Sequence, residues 1–258
     1  MKPTQLLDGV EQLINSALPV PPGPTGYKAK TTADNLSAQP PPSVNLPKLV
    51  RDLWNQIVVN WVEGGCQSRG EFNWRWKRNL TCHSANSAPE VTLQREIANF
   101  VGERWSNETP TGSGLSEGEG GEPGGLDLAY AGDDEKVVMI ELKYGSNTPV
   151  SAAIQLVIYG LTLVLARTVH AQVPIATDKR WLHFKRADLR VLAPNAFYER
   201  YDGLAWFEHA LDAAVRDFGA EHKLDMTFAF RCFGDRSDLK DEAAVLNQLG
   251  DAGIRYSL

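Results

Sequence analysis

Asp127, Glu141 and Lys143 are the residues whose types and spacing could support chemistry. The stretches 126–130 and 137–143 flank a Gly-Asp-Asp turn, and in the second stretch charged residues alternate with apolar ones near the end. This pattern predicts a β-hairpin. Because side chains alternate between the two faces of a strand, Glu141 and Lys143 should point to the same face.

The hairpin should bring Asp127 close to Glu141. If Ala131 pairs with Lys136 across the turn, Asp127 lies within one position of Glu141, and a one-residue adjustment makes them direct partners. Two carboxylates on adjacent strands repel each other unless a cation lies between them. Oxygen ligands of this kind suit Mg²⁺ or Mn²⁺. Lys143, on the same face, could orient or deprotonate a water and stabilise charge developing on a phosphate.

Two predicted helices flank the hairpin in the sequence. Residues 89–104 have the apolar spacing of a helix, with Glu96 at the edge of its buried stripe. Residues 150–168 are almost uniformly apolar and predict a buried helix on the sheet. We do not predict a membrane span here, because polar residues interrupt this run. Two of them, Gln155 and Tyr159, are four residues apart and share a face, and the site could supply the partners that they need.

The order of these elements resembles that of the PD-(D/E)xK nuclease superfamily. The matching segments are Glu96 in a helix, Gly124-Gly125-Leu126-Asp127 at a strand, Glu141-Leu142-Lys143 at the next strand, and Gln155 to Tyr159 in the following helix. The last segment is similar to the QxxxY helix motif of the RecB-like and lambda-exonuclease-like branch. The resemblance covers roughly residues 89 to 170 and one strand beyond.

The resemblance implies a fold and a set of roles. The fold would be α/β, with a three-layer restriction-endonuclease-like core in which helices flank a mixed central sheet. Asp127 and Glu141 would bind Mg²⁺ or Mn²⁺, Lys143 would assist the nucleophilic water, and Glu96 would complete the metal shell. Gln155 and Tyr159 would contact substrate or brace the site.

A second acidic residue competes for the role in the metal shell. Glu103 follows Glu96 by seven residues on nearly the same face of the predicted helix, so either side chain could reach the site. Both could also face water. The sequence favours Glu96 and leaves the choice open.

The function that this resemblance implies is metal-dependent hydrolysis of phosphodiester bonds, in DNA rather than RNA. The alternative is a catalytically silent module of the same fold that binds nucleic acid or a protein partner. The net charge of −6 favours the alternative, because proteins that bind polyanions usually carry a basic surface. The crowded acidic residues beside a lysine favour the enzyme, since a binding module has no need for them.

Composition divides the chain into two parts. Residues 4–17 predict a short amphipathic helix that docks on the body or on a partner, including a second copy of the chain. The stretch from Pro19 to Pro47 is rich in proline and small residues and predicts an extended tether. We therefore expect an N-terminal helix and linker over 1–46 and a nuclease-like domain over 47–258.

The cysteines and the N-terminus predict a cytoplasmic protein that does not associate with a membrane. The three cysteines, Cys66, Cys82 and Cys232, form no metal-binding or disulfide pattern. No apolar stretch typical of a signal peptide follows Met1.

The remaining stretches predict ordinary elements around this centre. Residues 106–124, rich in Gly, Ser and Glu, predict a mobile loop. Trp74 and Trp76 are expected to be core aromatics rather than a stacking surface for bases. Helices are predicted over 47–63, 203–218 and 240–250, and strands over 181–184, 189–192, 226–232 and 254–256.

Overall fold

The computed structural model describes residues 5–21, 26–63, 74–80, 87–111, 125–169 and 179–255. These residues form an α/β fold in which helices flank a five-strand mixed sheet. The strands are β1 (Trp105–Pro110), β2 (Gly125–Ala131), β3 (Lys136–Leu142), β4 (Arg186–Pro194) and β5 (Asp225–Phe233). The α-helices are α1 (Val10–Ala17), α2 (Lys30–Ala38), α3 (Leu46–Glu63), α4 (Pro89–Phe100), α5 (Pro149–Val169), α6 (Asn195–Tyr198), α7 (Ala205–Glu221) and α8 (Glu242–Leu249). Short 3₁₀ helices lie at Gly26–Lys28, Arg180–His183, Glu199–Leu204, Arg236–Leu239 and Asp251–Gly253.

The strands lie in the sheet in the order in which they occur in the chain. Strands β1, β2 and β3 run antiparallel, whereas β3, β4 and β5 run parallel. Parallel neighbours need a crossover connection, and helices α5 and α7 lie in the two crossovers. The carboxyl ends of β3, β4 and β5 therefore lie along the same end of the sheet, and the start of β2 lies there too.

The hairpin has the register that the one-residue adjustment requires. Ala131 pairs with Val137, and Leu128 pairs with Ile140. The turn accommodates this register because Asp134 and its neighbour in the turn have left-handed backbone angles, with φ of 56° at Asp134. Pairing of Ala131 with Lys136 was therefore wrong by one residue.

The predicted alternation of faces along β3 is confirmed. Val137 and Met139 pack in one apolar cluster, whereas Val138, Ile140 and Leu142 pack in a second cluster. Helix α5 covers the first face at β3 and β4, α7 covers it at β5, and α3 packs on both helices. Helices α4 and α8 supply the helical part of the second cluster. The prediction of a mixed sheet with helices on its faces is thus confirmed.

Helix α5 is the central helix of the core. By length and composition it could cross a membrane, but 94% of its most apolar window is buried within the protein. Gly160 lets the helix approach the sheet closely, because a Cβ atom there would lie 2.8 Å from the side chain of Met226. The apolar composition of α5 is thus explained by its burial in this core.

The tether predicted between Pro19 and Pro47 is wrong for a large part of its length. Helix α2 lies in this stretch, and its residues Ala33 and Leu36 are fully buried in the first cluster. Asp34 pairs with Arg200, so the helix is also fastened by charge. The segment folds as part of the same core because a few well-placed apolar side chains suffice once tertiary contacts support the helix.

The N-terminal helix begins later than predicted, at Val10, and docks on α3. Val10 and Ile14 are buried at this contact. The side-chain amide of Asn60, on α3, donates to the carbonyl oxygens of Leu6 and Asp8 at 3.0 and 2.7 Å. These contacts account for the amphipathic pattern within the chain, and the predicted contact with a second copy stays a prediction.

Three smaller predictions differ from the structure. Strand β1 occupies the start of the predicted loop 106–124, of which residues 112–124 lie outside the described ranges. The predicted strand 181–184 is mostly a 3₁₀ helix, and the closing strand is a single bridge between Ile254 and Arg231. Each of these short segments carries too little periodicity to distinguish it from a loop or turn.

The predicted burial of Trp74 is confirmed, and Trp76 is packed beside it. Trp74 is 3% exposed, and its ring contacts Trp181 edge to face at 5.2 Å. Trp76 is half-buried between Trp181 and Phe184, and its indole N–H donates to the carbonyl of Glu103. These rings therefore fill the end of the first cluster.

Helix α7 protects the free edge of β5. The backbone N–H groups of Phe228 and Phe230 donate to the carboxylates of Asp212 and Glu208, each at 2.7 Å. These are edge groups that another strand would otherwise pair with. Glu208 is 5% exposed, and its Oε2 has no hydrogen-bond partner among the described residues. Burial raises the pKa of Glu208 to about 7, although the Phe230 N–H and the charge of Arg231 oppose the shift.

The protein should lose stability as the pH rises through the range in which Glu208 ionises. The carboxyl ionises in the unfolded chain at an ordinary pKa near 4.5 but stays protonated in the folded state up to about pH 7. Unfolding thus becomes easier between these values, by about 3 kcal/mol at most. Glu208→Gln should remove this loss and be the more stable form at roughly pH 8, measured by urea unfolding across pH.

Asp212→Asn is the matched control for this change, since it alters the neighbouring carboxylate on the same face of α7. It should leave the slope of stability between pH 5 and pH 7 in place, to within roughly 0.5 kcal/mol. Equal slopes for Glu208→Gln and the unmutated protein would contradict the assignment.

Candidate active site

Asp127 and Glu141 face each other across strands β2 and β3. Leu128 pairs with Ile140, so the next pair toward the carboxyl end of β3 is Asp127 with Glu141. The Leu142 N–H donates to Asp127 Oδ2 at 2.8 Å and fixes that carboxylate against β3. Glu141 is only 1% exposed. The hairpin therefore brings together the two carboxylates that the sequence predicts to be partners.

Lys143 lies immediately after β3 and on the same side as Glu141. Its Nζ is 2.7 Å from Glu141 Oε1 and 3.2 Å from Glu90 Oε1. The side chain is 5% exposed. The Lys143 N–H donates to the carbonyl of Leu192 in β4, which extends the parallel pairing by one residue. The ammonium group is thus held between two carboxylates at the carboxyl end of β3.

Burial is the largest influence on the pKa of both carboxyl groups. Burial raises the pKa of Asp127 well above its usual range, and the charge of Glu141 raises it further. Burial also raises the pKa of Glu141, against the effect of Lys143. Burial alone would lower the pKa of Lys143, but Glu141, Asp127 and Glu90 outweigh it and the net shift is upward. The lysine is therefore cationic and does not fully compensate the surrounding acids.

One oxygen of Glu141 is buried without a partner. Oε1 is bonded to Lys143, whereas Oε2 makes no hydrogen bond with any residue that the structure describes. A buried unsatisfied carboxylate oxygen is costly, and a cation would remove that cost. Mg²⁺ is commonly held by one or two carboxylates, with waters and phosphates completing its shell. The oxygens of Asp127 and Glu141 fit that requirement.

The acidic residues of the described ranges form no larger metal cluster. No group of three or more His, Cys, Asp or Glu side chains there is close enough to hold an ion. An ion at this place would therefore have Asp127 and Glu141 as its protein ligands.

The structure does not bring Glu96 to this centre. Its side chain is 48% exposed on α4 and pairs with Arg236 at 3.0 Å. Glu103, the alternative, lies in the exposed turn after α4. Gln94 instead reaches the centre, and its amide donates to the Asp127 carbonyl at 2.7 Å. Glu96 is two residues farther along, roughly 200° around the helix, and so points away.

Glu90, rather than Glu96, is the acidic residue of α4 that lies beside this centre. It lies in the first turn of α4, four residues before Gln94 and on the same face. Its carboxylate accepts hydrogen bonds from Lys143 Nζ, from the Tyr144 N–H and from the Ser146 hydroxyl. The four-residue spacing of Glu90 and Gln94 indicates in the sequence that both side chains share a helix face. The position of Glu96 at the edge of the apolar stripe favours Glu96 instead.

Gln155 and Tyr159 are joined to the strand that carries Asp127. The Gln155 amide donates to the Tyr159 hydroxyl at 2.9 Å, and that hydroxyl is 3.4 Å from the Gly125 carbonyl. Burial raises the pKa of Tyr159, and the charge of Glu141 adds to the shift. These contacts place both side chains beside the carboxylate pair, in a bracing position.

Glu108 is a further acidic residue that sequence reasoning missed. Asn107 pairs with Leu128 and Thr109 with Leu126, so Glu108 lies opposite Asp127 in β1. Its charge contributes to the raised pKa of both Asp127 and Glu141. Its φ of 49° is unusual for a residue other than glycine in a strand. Nothing in a Gly- and Ser-rich stretch signalled a strand here.

Gly125 makes the close approach of β1 and β2 feasible. A Cβ atom at this position would lie 3.0 Å from the Thr109 carbonyl oxygen and 3.1 Å from the carbonyl carbon of Glu108. Both neighbours are backbone atoms and cannot rotate away. A side chain at Gly125, two residues before Asp127, would therefore push β1 and β2 apart by a few tenths of an ångström.

Comparisons with known proteins supply no relative. No family model matches the chain, and neither a curated protein nor a solved structure matches it. What the site can do therefore has to be inferred from its own geometry.

Replacing Gly125 by alanine should move β1 away from β2 and destabilise the protein. We expect a loss of about 1 to 3 kcal/mol in the free energy of unfolding, as for other overpacked positions. Gly102→Ala is the control, because its Cβ would meet only Glu242 Oε2 at an ordinary 3.5 Å. Denaturant unfolding of the two variants checks this, and equal stability would show that β1 is not held as described.

Proposed function

We propose that this protein is a divalent-metal-dependent phosphodiesterase that hydrolyses DNA, with the restriction-endonuclease-like fold of the PD-(D/E)xK nucleases. The observation that carries the proposal is the unpartnered, buried Oε2 of Glu141 beside Asp127 and Lys143. A structural ion pair would not need a second carboxylate on the adjacent strand. A metal ion would satisfy both acids at once.

The arrangement of elements supports the resemblance on which the proposal draws. The two acids lie on neighbouring antiparallel strands, and the strand of Glu141 continues into parallel pairing with β4. The helix that carries Gln155 and Tyr159 covers one face, and α4 packs with the other. This order agrees with the sequence motifs, although Glu90 rather than Glu96 is the acidic residue of α4 at the centre.

Each residue has a defined part in the proposed reaction. Asp127 and Glu141 would hold Mg²⁺ or Mn²⁺, which would activate a water and neutralise phosphate charge. Water would add to phosphorus as the bond to the leaving sugar oxygen breaks; the water would give up a proton to solvent, and the leaving oxygen would take up one from solvent, so that one P–O bond forms and one breaks. Lys143 is held as a cation, so its role would be to stabilise the charge on the phosphate rather than to remove a proton. Gln155 and Tyr159 would keep β2 in place.

A silent binding module is the second candidate. The contact of Lys143 with both Glu141 and Glu90 favours it, because this lysine compensates part of the acidic charge without any ion. Such a module would gain no stability from divalent ions. Metal binding therefore separates the two candidates.

Divalent ions should stabilise the folded protein. At a Mn²⁺ concentration 100 times the dissociation constant, binding to the folded state adds about 2.7 kcal/mol, a rise of roughly 5 to 10 °C in Tm. Asp127→Asn should abolish the rise. Without metal, the same variant should melt at or above the temperature of the unmutated protein, because a repulsive charge is gone while the acceptor for the Leu142 N–H remains.

Asp134→Asn is the matched control, since Asp134 is an exposed acid in the turn of the same hairpin. It should keep the full response to Mn²⁺ in a thermal melt. A protein that Mn²⁺ and Mg²⁺ leave unchanged would favour the silent module.

Cleavage of DNA should depend on both the metal and Lys143. The substrates are end-labelled linear and closed circular DNA, single- and double-stranded, with Mg²⁺, Mn²⁺ or EDTA. Lys143→Ala should lower the rate by on the order of 100-fold or more, as loss of a group that stabilises transition-state charge does. Lys136→Ala, at the other end of β3, is the control and should cut normally.

The products also test the substrate class. Shortening from the ends of linear DNA indicates an exonuclease, and opening of the circle indicates an endonuclease. Cleavage of an RNA substrate alone would overturn the assignment to DNA. If the folded protein cleaves none of the DNA or RNA substrates, the proposal of nuclease activity is overturned. The proposal of a silent binding module then remains.

A further inference from the structure

Glu90 uses both of its carboxylate oxygens to hold the segment that follows β3. Oε1 is 3.2 Å from Lys143 Nζ, and Oε2 accepts hydrogen bonds from the Tyr144 N–H at 3.3 Å and the Ser146 hydroxyl at 2.7 Å. One side chain from α4 therefore contacts three donors within four consecutive residues. Glu90 therefore fixes residues 143–146, the segment that follows β3.

The hydrogen bonds that the carboxylate oxygens accept distinguish Glu90 from Glu141. Glu141 has a buried oxygen without a partner among the residues described, whereas each oxygen of Glu90 already accepts a hydrogen bond. Glu90 also does not form a three-residue metal cluster with Asp127 and Glu141 in the described ranges. Its contacts are those of a residue that positions a lysine, not those of a metal ligand.

Helix α4 holds Glu90 rigidly at this place. Gln94, one turn later, donates to the Asp127 carbonyl at 2.7 Å, so the same helix face is fastened to β2 and to the segment after β3. Pro89 occupies the first turn, where a missing N–H is tolerated. The position of the Glu90 carboxylate is thus set by the helix and not by a flexible loop.

A bound metal would change the surroundings of Lys143. The ion and the ammonium group are both positive, and both attract the carboxylate of Glu141. When Glu141 is shared with an ion, its attraction for Lys143 weakens and the ion repels the lysine. Glu90 is then the remaining close counterion of Lys143.

We propose that Glu90 is a positioning residue that keeps the ammonium group of Lys143 at the reaction centre when a divalent ion occupies Asp127 and Glu141. This inference rests on the proposed metal-dependent hydrolysis. It assigns Glu90 an action through Lys143 and gives it no contact with the metal. Its removal should therefore impair the chemical step and leave ion binding intact.

The first test measures Mn²⁺ binding and cleavage on the same full-length variants. Glu90→Gln should bind Mn²⁺ within roughly threefold of the unmutated affinity, by calorimetric titration, because it removes no metal ligand. Its kcat should fall by on the order of 30-fold or more with little change in KM, since it removes a contact that matters in the transition state. Glu96→Gln makes the same change at an exposed position of α4 and should alter neither quantity.

A double variant tests whether Glu90 acts through Lys143. In the Lys143→Ala background, Glu90→Gln should change kcat by less than about twofold, because two residues that act as one unit are not additive. A purely structural role would instead add its loss to that of Lys143→Ala. Thermal melts of all four proteins establish that each is folded.

The outcomes separate this inference from the proposed function. An unmutated protein that neither binds Mn²⁺ nor cleaves overturns both. Loss of Mn²⁺ binding in Glu90→Gln overturns the inference and makes Glu90 a metal ligand. An unchanged kcat in Glu90→Gln, or additive losses in the double variant, overturns the inference while the hydrolytic function stands. If Lys143→Ala does not fold, Lys143→Met replaces it in the cycle.

Discussion

The repulsion between a buried and a half-buried carboxylate is the constraint on which the rest of this site depends. Asp127 and Glu141 are neighbours on adjacent strands; Glu141 is buried and Asp127 is half-buried. Such a pair is unfavourable unless positive charge is close by. Lys143 supplies one positive charge from within the protein, and an ion would supply the rest. The neighbouring residues can be understood as the means of keeping these charged groups in register.

The sheet and its two faces share that task. From the second face, α4 reaches β2 with Gln94 and the segment after β3 with Glu90. From the first face, Tyr159 of α5 reaches the Gly125 carbonyl, two residues before Asp127. Hence β2 is held by side chains from two helices. The position of the Asp127 carboxylate therefore depends on how both helices pack on the sheet.

The sequence was informative where a local pattern decided the structure. Strand alternation identified the hairpin and the shared face of Glu141 and Lys143, because a period of two leaves little choice. The exact pairing failed by one residue, since it depended on left-handed backbone angles in the turn. The sequence favoured Glu96 over Glu103, whereas Glu90 is the acidic residue of α4 that faces the centre, because which face of a helix packs on the sheet is a tertiary property.

Segments stabilised by distant contacts were harder to predict. Helix α2 has few apolar residues, and its composition predicts a tether, yet Leu36 is fully buried in the core. Strand β1 is mostly polar, and the side chains of its buried Ser106 and Asn107 form hydrogen bonds with the backbone of Lys77 and Asn79. Composition cannot show such partners, which explains why Glu108 was missed.

The short sequence separation within the hairpin bears on the order in which the protein folds. The Leu142 contact with Asp127 spans 15 residues, whereas the Lys143 contact with Glu90 spans 53. Hairpins form within roughly 1 to 10 μs, and contacts distant in sequence form more slowly. We therefore expect the carboxylates to meet while water still screens them, with Lys143 two residues beyond Glu141 in the chain. Desolvation then comes late, when the helices dock, so the strongest repulsion arises only after the compensating charge is in place.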